Sequence, residues 1–458
     1  MRVIICGAGQ VGFNLARYLS EHDNHVTVID QSAELIHKIN DRLDVRAICG
    51  FASHPDVLEK AEAHSAEMLI AVTQSDEVNM VACEVAGTLF NVRTKVARVR
   101  AQAYLEPRWA KLYGSERFNI DLVISPEIEV ARSISRSLTV PGAFDMISFS
   151  DGKVKIIGVR CTADTPVVNT PITHITSLFP NIDICVVGII RGDQTILPTP
   201  NDLLCAGDEV YFAVAQDRIV EAMRAFGHGN AESRRLLILG GGNIGLCLAQ
   251  EIEMHHPNVR AELIEKNPER AEFIARELRN TTVLCGDVLD SEVLQEANVN
   301  VAETVVAVTE DERVNTLASL LSKRLGASRV LTLINNTLHA PLVISLGVDA
   351  VISPKKVTVS KILQNIRRGR IRSIHSLGES FGEIIEAEAQ ELSGLIGSLA
   401  IEINSPCKII VAAIIRQGEV IIPTSSTTIK LEDRIILMVT SAAISKIEKL
   451  FSSRLDYY

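Results

Sequence analysis

The sequence predicts an α/β protein of two tandem Rossmann-like doubly wound domains, each followed by a small α+β domain. Three observations predict it. Runs of Val, Ile, Leu and Ala alternate with amphipathic helical stretches, the pattern of parallel strands joined by crossover helices. A glycine-rich strand-to-helix turn occurs twice, as RVIICGAGQVG at 2–12 and RLLILGGGNIG at 235–245. The features downstream then recur in one order. VTVID, ending at Asp30, is answered by AELIEKN with Glu265, and CGFAS at 49–53 by CGDVL at 285–289. LIAVTQSDEVN, ending at Asn79, is answered by VVAVTEDERVN, ending at Asn315. DLVISP at 121–126 returns as DAVISP at 349–354, and VVGIIRGDQTILPT at 186–199 as AAIIRQGEVIIPT at 412–424. The repeated unit is far longer than the roughly 20–50 residues of a solenoid repeat.

Taken in order, residues 2–6 read as a buried strand ending at the glycine turn, with a helix from 11 to about 20. HVTVID is a second strand, and SAELIHKIND a helix with Ser32 as its N-cap and Leu35, Ile36 and Ile39 inside. VRAIC is a third strand and 55–61 a short helix. MLIAVT is a fourth, followed by a helix over 76–89; KVARVR is a fifth and DLVIS a sixth. A crossover helix then starts at Ser125-Pro126 and stops near Val140-Pro141-Gly142. From 143 the texture changes to short alternating strands with hairpin turns at Asp151-Gly152 and Arg191-Gly192-Asp193, a small α+β domain. The expected boundaries are 1–140 and 141–226 for the first half, 227–233 for a polar linker, and 234–370 and 371–458 for the second half.

With 458 residues and 47% hydrophobic side chains, the chain has material for three or four domains, each with its own core. Its formal net charge of −10 argues against a general nucleic-acid binder. Nine cysteines occur without a CxxC pair or a Cys/His cluster at metal spacing. Cys6, Cys49, Cys185 and Cys285 sit in strands or beside glycine turns. The odd count and the lack of a signal peptide lead to an expectation of free, mostly buried thiols in a reducing cytosol. No apolar run approaches the ~20 residues that span a bilayer, so any membrane role is expected to pass through a partner. His22, His25, His37 and His54 lie on different elements and make no metal set. His255-His256, before Pro257, reads as solvated. The basic run 367-RRGRIR-372 reads as a solvated helix end or as a docking point for acidic loops or anionic lipid.

The fingerprints carry the chemistry. Gly7 permits the tight turn, Gly9 lets the backbone approach a phosphate, and Gly12 lets the helix pack on the sheet. Gly7, Ala8, Gly9, Gln10 and Val11 thus form a candidate phosphate cradle at a helix N-terminus. Asp30, ending the second strand, is placed for ribose hydroxyls and would repel a 2′-phosphate, which favours NAD(H), ATP or ADP over NADP(H). In the second half Gly240, Gly242, Asn243, Ile244 and Glu265 take the same roles, with Gly245 for packing. Thr73 and Thr309, at the ends of matched strands, and Asp287 complete the candidate contacts. The plain alternative is that the glycines only make a tight turn and that the acids are solvated strand ends. Arg98 and Arg100, read as two apart on one strand and so on one face, could reach a di- or triphosphate. The aligned RVLTLIN segment would place Thr332 and Ile334 there. The other reading of the two arginines is as surface ion-pair partners.

The order of these features, over almost the whole chain, resembles RCK domains (regulators of K⁺ conductance, also called KTN domains). The resemblance fits bound NAD(H) or ATP/ADP, and each fingerprint domain is followed only by a small module without a His/Lys/Asp constellation, so no catalytic set is expected. The resemblance implies a ring of subunits, most simply a homotetramer, beneath a membrane potassium-translocating protein. The chain would then be cytoplasmic and peripheral on the inner face of the membrane, with nucleotide binding altering ring shape and ion flux. RCK-like domains pair through the crossover helix, here with apolar stripes Ile128, Ala131, Ile134 and Leu138 in one half and Val357, Ile362 and Ile366 in the other. One departure stands out. Many relatives carry Gly-Asp or Gly-Asn after the third strand; the second half has Gly286-Asp287, but the first has Gly50-Phe51, which can pack on adenine but cannot accept from ribose. The competing functions are an NAD-dependent oxidoreductase, which needs a substrate domain placing an acid or base at the nicotinamide, and a scaffold with purely structural nucleotides.

Overall fold

Alternating strands and helices arrange themselves into four sheets in the computed structural model of the chain. It describes residues 1–21, 24–113, 118–140, 142–179, 182–192, 194–228, 234–366, 371–377, 382–389, 395–400, 409–440 and 443. The first sheet is parallel and comprises β1 (Arg2–Cys6), β2 (His25–Asp30), β3 (Arg46–Cys49), β4 (Met68–Ala71), β5 (Thr94–Arg98) and β6 (Leu122–Ile124), in the order β3-β2-β1-β4-β5-β6. The second is antiparallel, with β7 (Ala143–Phe149), β8 (Val154–Arg160), β9 (Ile184–Arg191), β10 (Gln194–Ile196) and β11 (Glu209–Ala215) in the order β10-β9-β11-β8-β7.

The second half repeats both. Its parallel sheet holds β12 (Arg235–Leu239), β13 (Arg260–Glu265), β14 (Thr282–Cys285), β15 (Thr304–Ala307), β16 (Val330–Leu333) and β17 (Ala350–Ile352), ordered β14-β13-β12-β15-β16-β17. Its antiparallel sheet holds β18 (Ile371–Leu377), β19 (Gly382–Glu388), β20 (Ile409–Arg416), β21 (Glu419–Ile421) and β22 (Arg434–Thr440), ordered β18-β19-β22-β20-β21. The α/β class with doubly wound parallel sheets therefore holds. In the first parallel sheet Ile5 sits between Val28 of β2 and Ile70 of β4. Strand order reverses at that point, which is where open α/β sheets bind ligands.

Helix starts follow local side-chain chemistry. Ser32, Ser75 and Ser125 accept from Leu35, Val78 and Ile128 amides, and Asn267 accepts from that of Arg270. Each satisfies a donor the helix itself leaves unpaired.

The two halves exchange their crossover helices. The helix Pro126–Leu138 leaves the first sheet and inserts Val130, Ala131, Ile134 and Leu138 into one core with Leu236, Leu246, Leu248 and Leu263 of the second half. The helix Pro354–Ile366 sends Ile362 and Leu363 into the core of Val3, Ile5, Leu15 and Val28. Ile134 is 1% exposed and Ile362 0%, so each contributes about 1.5–3 kcal/mol by leaving water. The apolar stripes are thus satisfied inside one chain. Ile366's side chain lies outside the described residues. His256 is not simply solvated as its sequence position suggested. Its Nε2 lies 2.8 Å from Ser135 Oγ, a hydrogen bond between halves. Arg329 of the second half donates to the carbonyls of Ser137, at 3.0 Å, and Ala143.

The two antiparallel sheets also pack together, Ile156, Val187 and Ala213 meeting Ile384, Ala412 and Ile436. Glu386 is buried there and accepts from Ser150 N (3.1 Å) and Oγ (2.7 Å). Thiol burial is mixed. Cys6, Cys83, Cys161 and Cys247 are buried, but Cys49 and Cys285 are exposed, because each ends an edge strand whose terminal residues face solvent. Residues 229–233 of the predicted linker and 367–370 of the basic run lie outside the described set. Among the described residues no helix is long and apolar enough to cross a membrane.

Candidate nucleotide-binding sites

Each fingerprint is built by three glycines with different duties. Gly7 and Gly240 have φ of +112° and +110°, which L side chains rarely adopt. A Cβ on Gly12 would stand 1.8 Å from Gly7 O, and one on Gly245 1.9 Å from Gly240 O. Those positions are dictated by the turn itself. Gly9 and Gly242 differ. Their backbones are extended (φ −63°, ψ −176°; φ −62°, ψ −172°), and a Cβ on either would meet nothing within 4 Å. The fold does not require glycine there, and the space over both backbones is open. The helices Gln10–Ser20 and Asn243–His255 begin at these glycines with no side-chain cap, so the amides of Gln10, Val11, Asn243 and Ile244 belong to open helix N-termini.

The carboxylates stand beside the cradles and are held by backbone. Asp30 Oδ2 accepts from Ala8 N (2.6 Å) and Oδ1 from Ser32 N (2.8 Å). Glu265 Oε2 accepts from Gly241 N and Oε1 from Asn267 N, both at 2.8 Å. Each oxygen keeps lone-pair capacity for a ribose hydroxyl. Across the switch point, Thr73 N and Oγ1 donate to Asn79 Oδ1 (2.9 and 2.7 Å), and Thr309 N and Oγ1 to Asn315 Oδ1 (2.7 and 2.6 Å). Asn79 and Asn315 are fully buried and fix the threonines. In the sequence they stand only as repeat marks, and their constant spacing from the threonines is the signal of this role. Asp76 and Glu312 were also missed. Asp76 Oδ2 accepts from the amides of Arg100 and Ala101, and Glu312 Oε2 from those of Asn335 and Asn336, at 2.8–3.0 Å.

That correspondence corrects the reading of the arginines. Asn79 Nδ2 donates to Arg98 O, and Asn315 Nδ2 to Leu333 O. The counterparts of Arg98 and Arg100 are therefore Leu333 and Asn335, one position beyond Thr332 and Ile334. Nor do both arginines share a strand, since β5 ends at Arg98. Arg100 Nε pairs with the buried Glu127 at 3.0 Å, as the ion-pair alternative held. Arg98 Nε is buried without a hydrogen-bond partner, and burial, with Arg100 nearby, lowers its pKa. A buried unmatched donor beside the crevice is suited to an anionic ligand.

The loops after β3 and β14 differ as their sequences do. Phe51 is 52% exposed and stacks on His54, ring centroids 5.1 Å apart. Asp287 accepts from Lys266 Nζ (2.8 Å) and Leu289 N (2.9 Å), and Lys266 foremost holds its carboxyl below the usual range. No His/Cys/Asp/Glu group able to hold a metal occurs among the described residues.

Fold and cradles together define a class, that of paired dinucleotide-fold units each joined to a small antiparallel module. Family models describe both parts, the TrkA-N domain matching residues 3–126 and 236–354 and the TrkA-C domain 156–227 and 384–452. The chain belongs to the TrkA family. It is 45% identical over 458 residues to the Trk system potassium uptake protein TrkA of Azorhizobium caulinodans, covering 100% of both chains. It is 37% identical to that of Vibrio alginolyticus, covering 98% of each. Among solved structures, the GsuK RCK domain matches with a TM-score of 0.60 at 17% identity, over 98% of this chain and 94% of that one. The GsuK channel bound to NAD matches at 0.59 and 17%, over 98% and 78%. At such identity the likeness shows a shared fold.

Proposed function

We propose that this chain is a nucleotide-binding regulatory subunit, taking NAD(H), ATP or ADP, that gates a membrane potassium uptake channel or transporter. The observation that carries the nucleotide part is the free space over Gly9 and Gly242, where neither backbone strain nor packing calls for glycine. The potassium part is supported by the full-length relatives, which are named for a potassium uptake system. The partner is then a TrkH-like potassium-translocating protein. The chain acts from the cytoplasmic face of the membrane in a closed ring, most simply a homotetramer. Two nucleotides with different affinities for two ring shapes supply the switching energy, typically about 1–3 kcal/mol per coupled site.

Calorimetric titration of the whole chain with ATP, ADP, NADH and NAD⁺ tests the nucleotide part. Wild type should show two sites and Gly9→Val or Gly242→Val one each. Unchanged stoichiometry in both variants would remove the assignment. Potassium flux in vesicles holding the membrane partner, with and without the chain and nucleotide, tests the gating part. Flux indifferent to the chain would reject it.

A further inference from the structure

The second cradle contains a cation at a position where the first has an apolar residue. Arg270 is the third residue of the helix Pro268–Glu277 and donates its amide to the N-cap Asn267 at 3.0 Å. Its guanidinium turns back over the fingerprint, Nε donating to Gly241 O at 2.9 Å and Nη2 lying 3.4 Å from Asn243 Oδ1. Its Cζ lies 5.1 Å from the Phe273 ring centroid. At the same place in the first half, defined by the same bond to the N-cap Ser32, stands Leu35, packed against the core.

Among the described residues no carboxylate pairs with Arg270; both acceptors are neutral amides. Asn243 is also the first residue of a helix with an uncapped N-terminus. A cation beside the positive pole of a helix is electrostatically unfavourable unless an anion bridges the two. Two of five guanidinium N–H groups are used, which leaves a fork for phosphate oxygens. Glu265, joined to the amide of the same Gly241, opposes a ribose 2′-phosphate. The charge is therefore directed at the phosphates beside Gly242 and Asn243.

Resting on the reading of these cradles as nucleotide sites, we infer that Arg270 is a phosphate-binding, specificity-determining residue of the second cradle. That cradle grips the diphosphate of an adenine nucleotide between Arg270 and a helix N-terminus; the first has no cation at the matching position. The two sites thus meet the nucleotide phosphates with differently placed cations, Arg270 over the fingerprint of the second and Arg98 beside the crevice of the first.

The test uses the full chain with Gly9→Val closing the first cradle, titrated with ADP and with adenosine, before and after Arg270→Leu. Thermal denaturation confirms that each variant folds. The ratio of ADP to adenosine affinity should fall about tenfold in Arg270→Leu, and Arg270→Lys should restore part of it. With the second cradle closed by Gly242→Val, Leu35→Arg should raise the same ratio at the first. Equal loss of ADP and adenosine affinity would make Arg270 a mere prop for the loop and overturn the inference. So would a preference for NADP⁺ over NAD⁺ that Arg270→Leu abolishes, since it would place the charge at the ribose. A Gly9→Val chain that binds no ADP would overturn the site itself, and the inference with it.

Discussion

Ser135 and His256 meet at 2.8 Å although they belong to opposite halves of the chain. Their bond marks the place where the first crossover helix lies on the second sheet domain, and Ile134, its neighbour, is part of that domain's core. Ile134→Glu or Ile362→Glu should therefore unfold the sheet domains rather than only open a ring. A carboxylate forced into either core should cost on the order of 3–5 kcal/mol. Denaturant unfolding followed by circular dichroism measures this. A dissociated assembly with an unchanged unfolding midpoint would contradict it.

The glycines of one turn should separate cleanly. Gly9→Ala should change stability by less than about 0.5 kcal/mol, since its Cβ meets open space, yet weaken nucleotide binding at the first cradle. Gly12→Ala should cost several kcal/mol, because its Cβ stands 1.8 Å from Gly7 O. Thermal denaturation beside calorimetric titration distinguishes them. Equal destabilisation by both would refute the division of roles.

Asp30→Asn should weaken both the loop and the ligand. Each carboxylate oxygen accepts a backbone amide, from Ala8 and from Ser32. A carboxamide has one acceptor oxygen, so one amide loses its partner at a cost of about 1–3 kcal/mol. Nucleotide affinity at the first cradle should fall about tenfold, with the second cradle untouched. Losses at both cradles would show that the sites are not independent.

Acid should loosen the joined antiparallel sheets. His375 lies edge-on to Phe149, centroids 5.2 Å apart. Burial first, then Arg136 and Lys361, pull its pKa from 6.5 down to about 3. The folded imidazole is therefore neutral where an unfolded one is charged, and the unfolded chain binds the extra proton. The associated stability is fully present above about pH 6.5 and is lost as pH falls toward 3, by at most about 1.4 kcal/mol per pH unit. His375→Phe should flatten the slope of unfolding free energy between pH 7 and 5. An identical slope in both proteins would rule His375 out as its source.

The sequence disclosed the sheets and cradles because periodic burial and glycine turns are local signals. The repeated acids and threonines could be placed for the same reason. What escaped depends on contacts between distant segments. The register of β16 against β15 decides that Leu333, not Thr332, matches Arg98, and a shift of one residue is invisible without the Asn315 bond that fixes it. His256 looked like a solvated helix end because Ser135 lies 121 positions away. Arg270 carries no local signal either, because its guanidinium reaches Gly241, 29 positions earlier.

The exchange of crossover helices also bears on inheritance. Each half is closed by a helix encoded in the other half of the gene, so a deletion that removes one half strips the survivor of part of its core. The linkage also grants a freedom that two identical polypeptides lack. A self-associating pair must carry every mutation twice, whereas the fused pair can hold an arginine at one cradle and a leucine at its mirror position. The two recognition surfaces can therefore drift apart over generations while remaining mechanically inseparable.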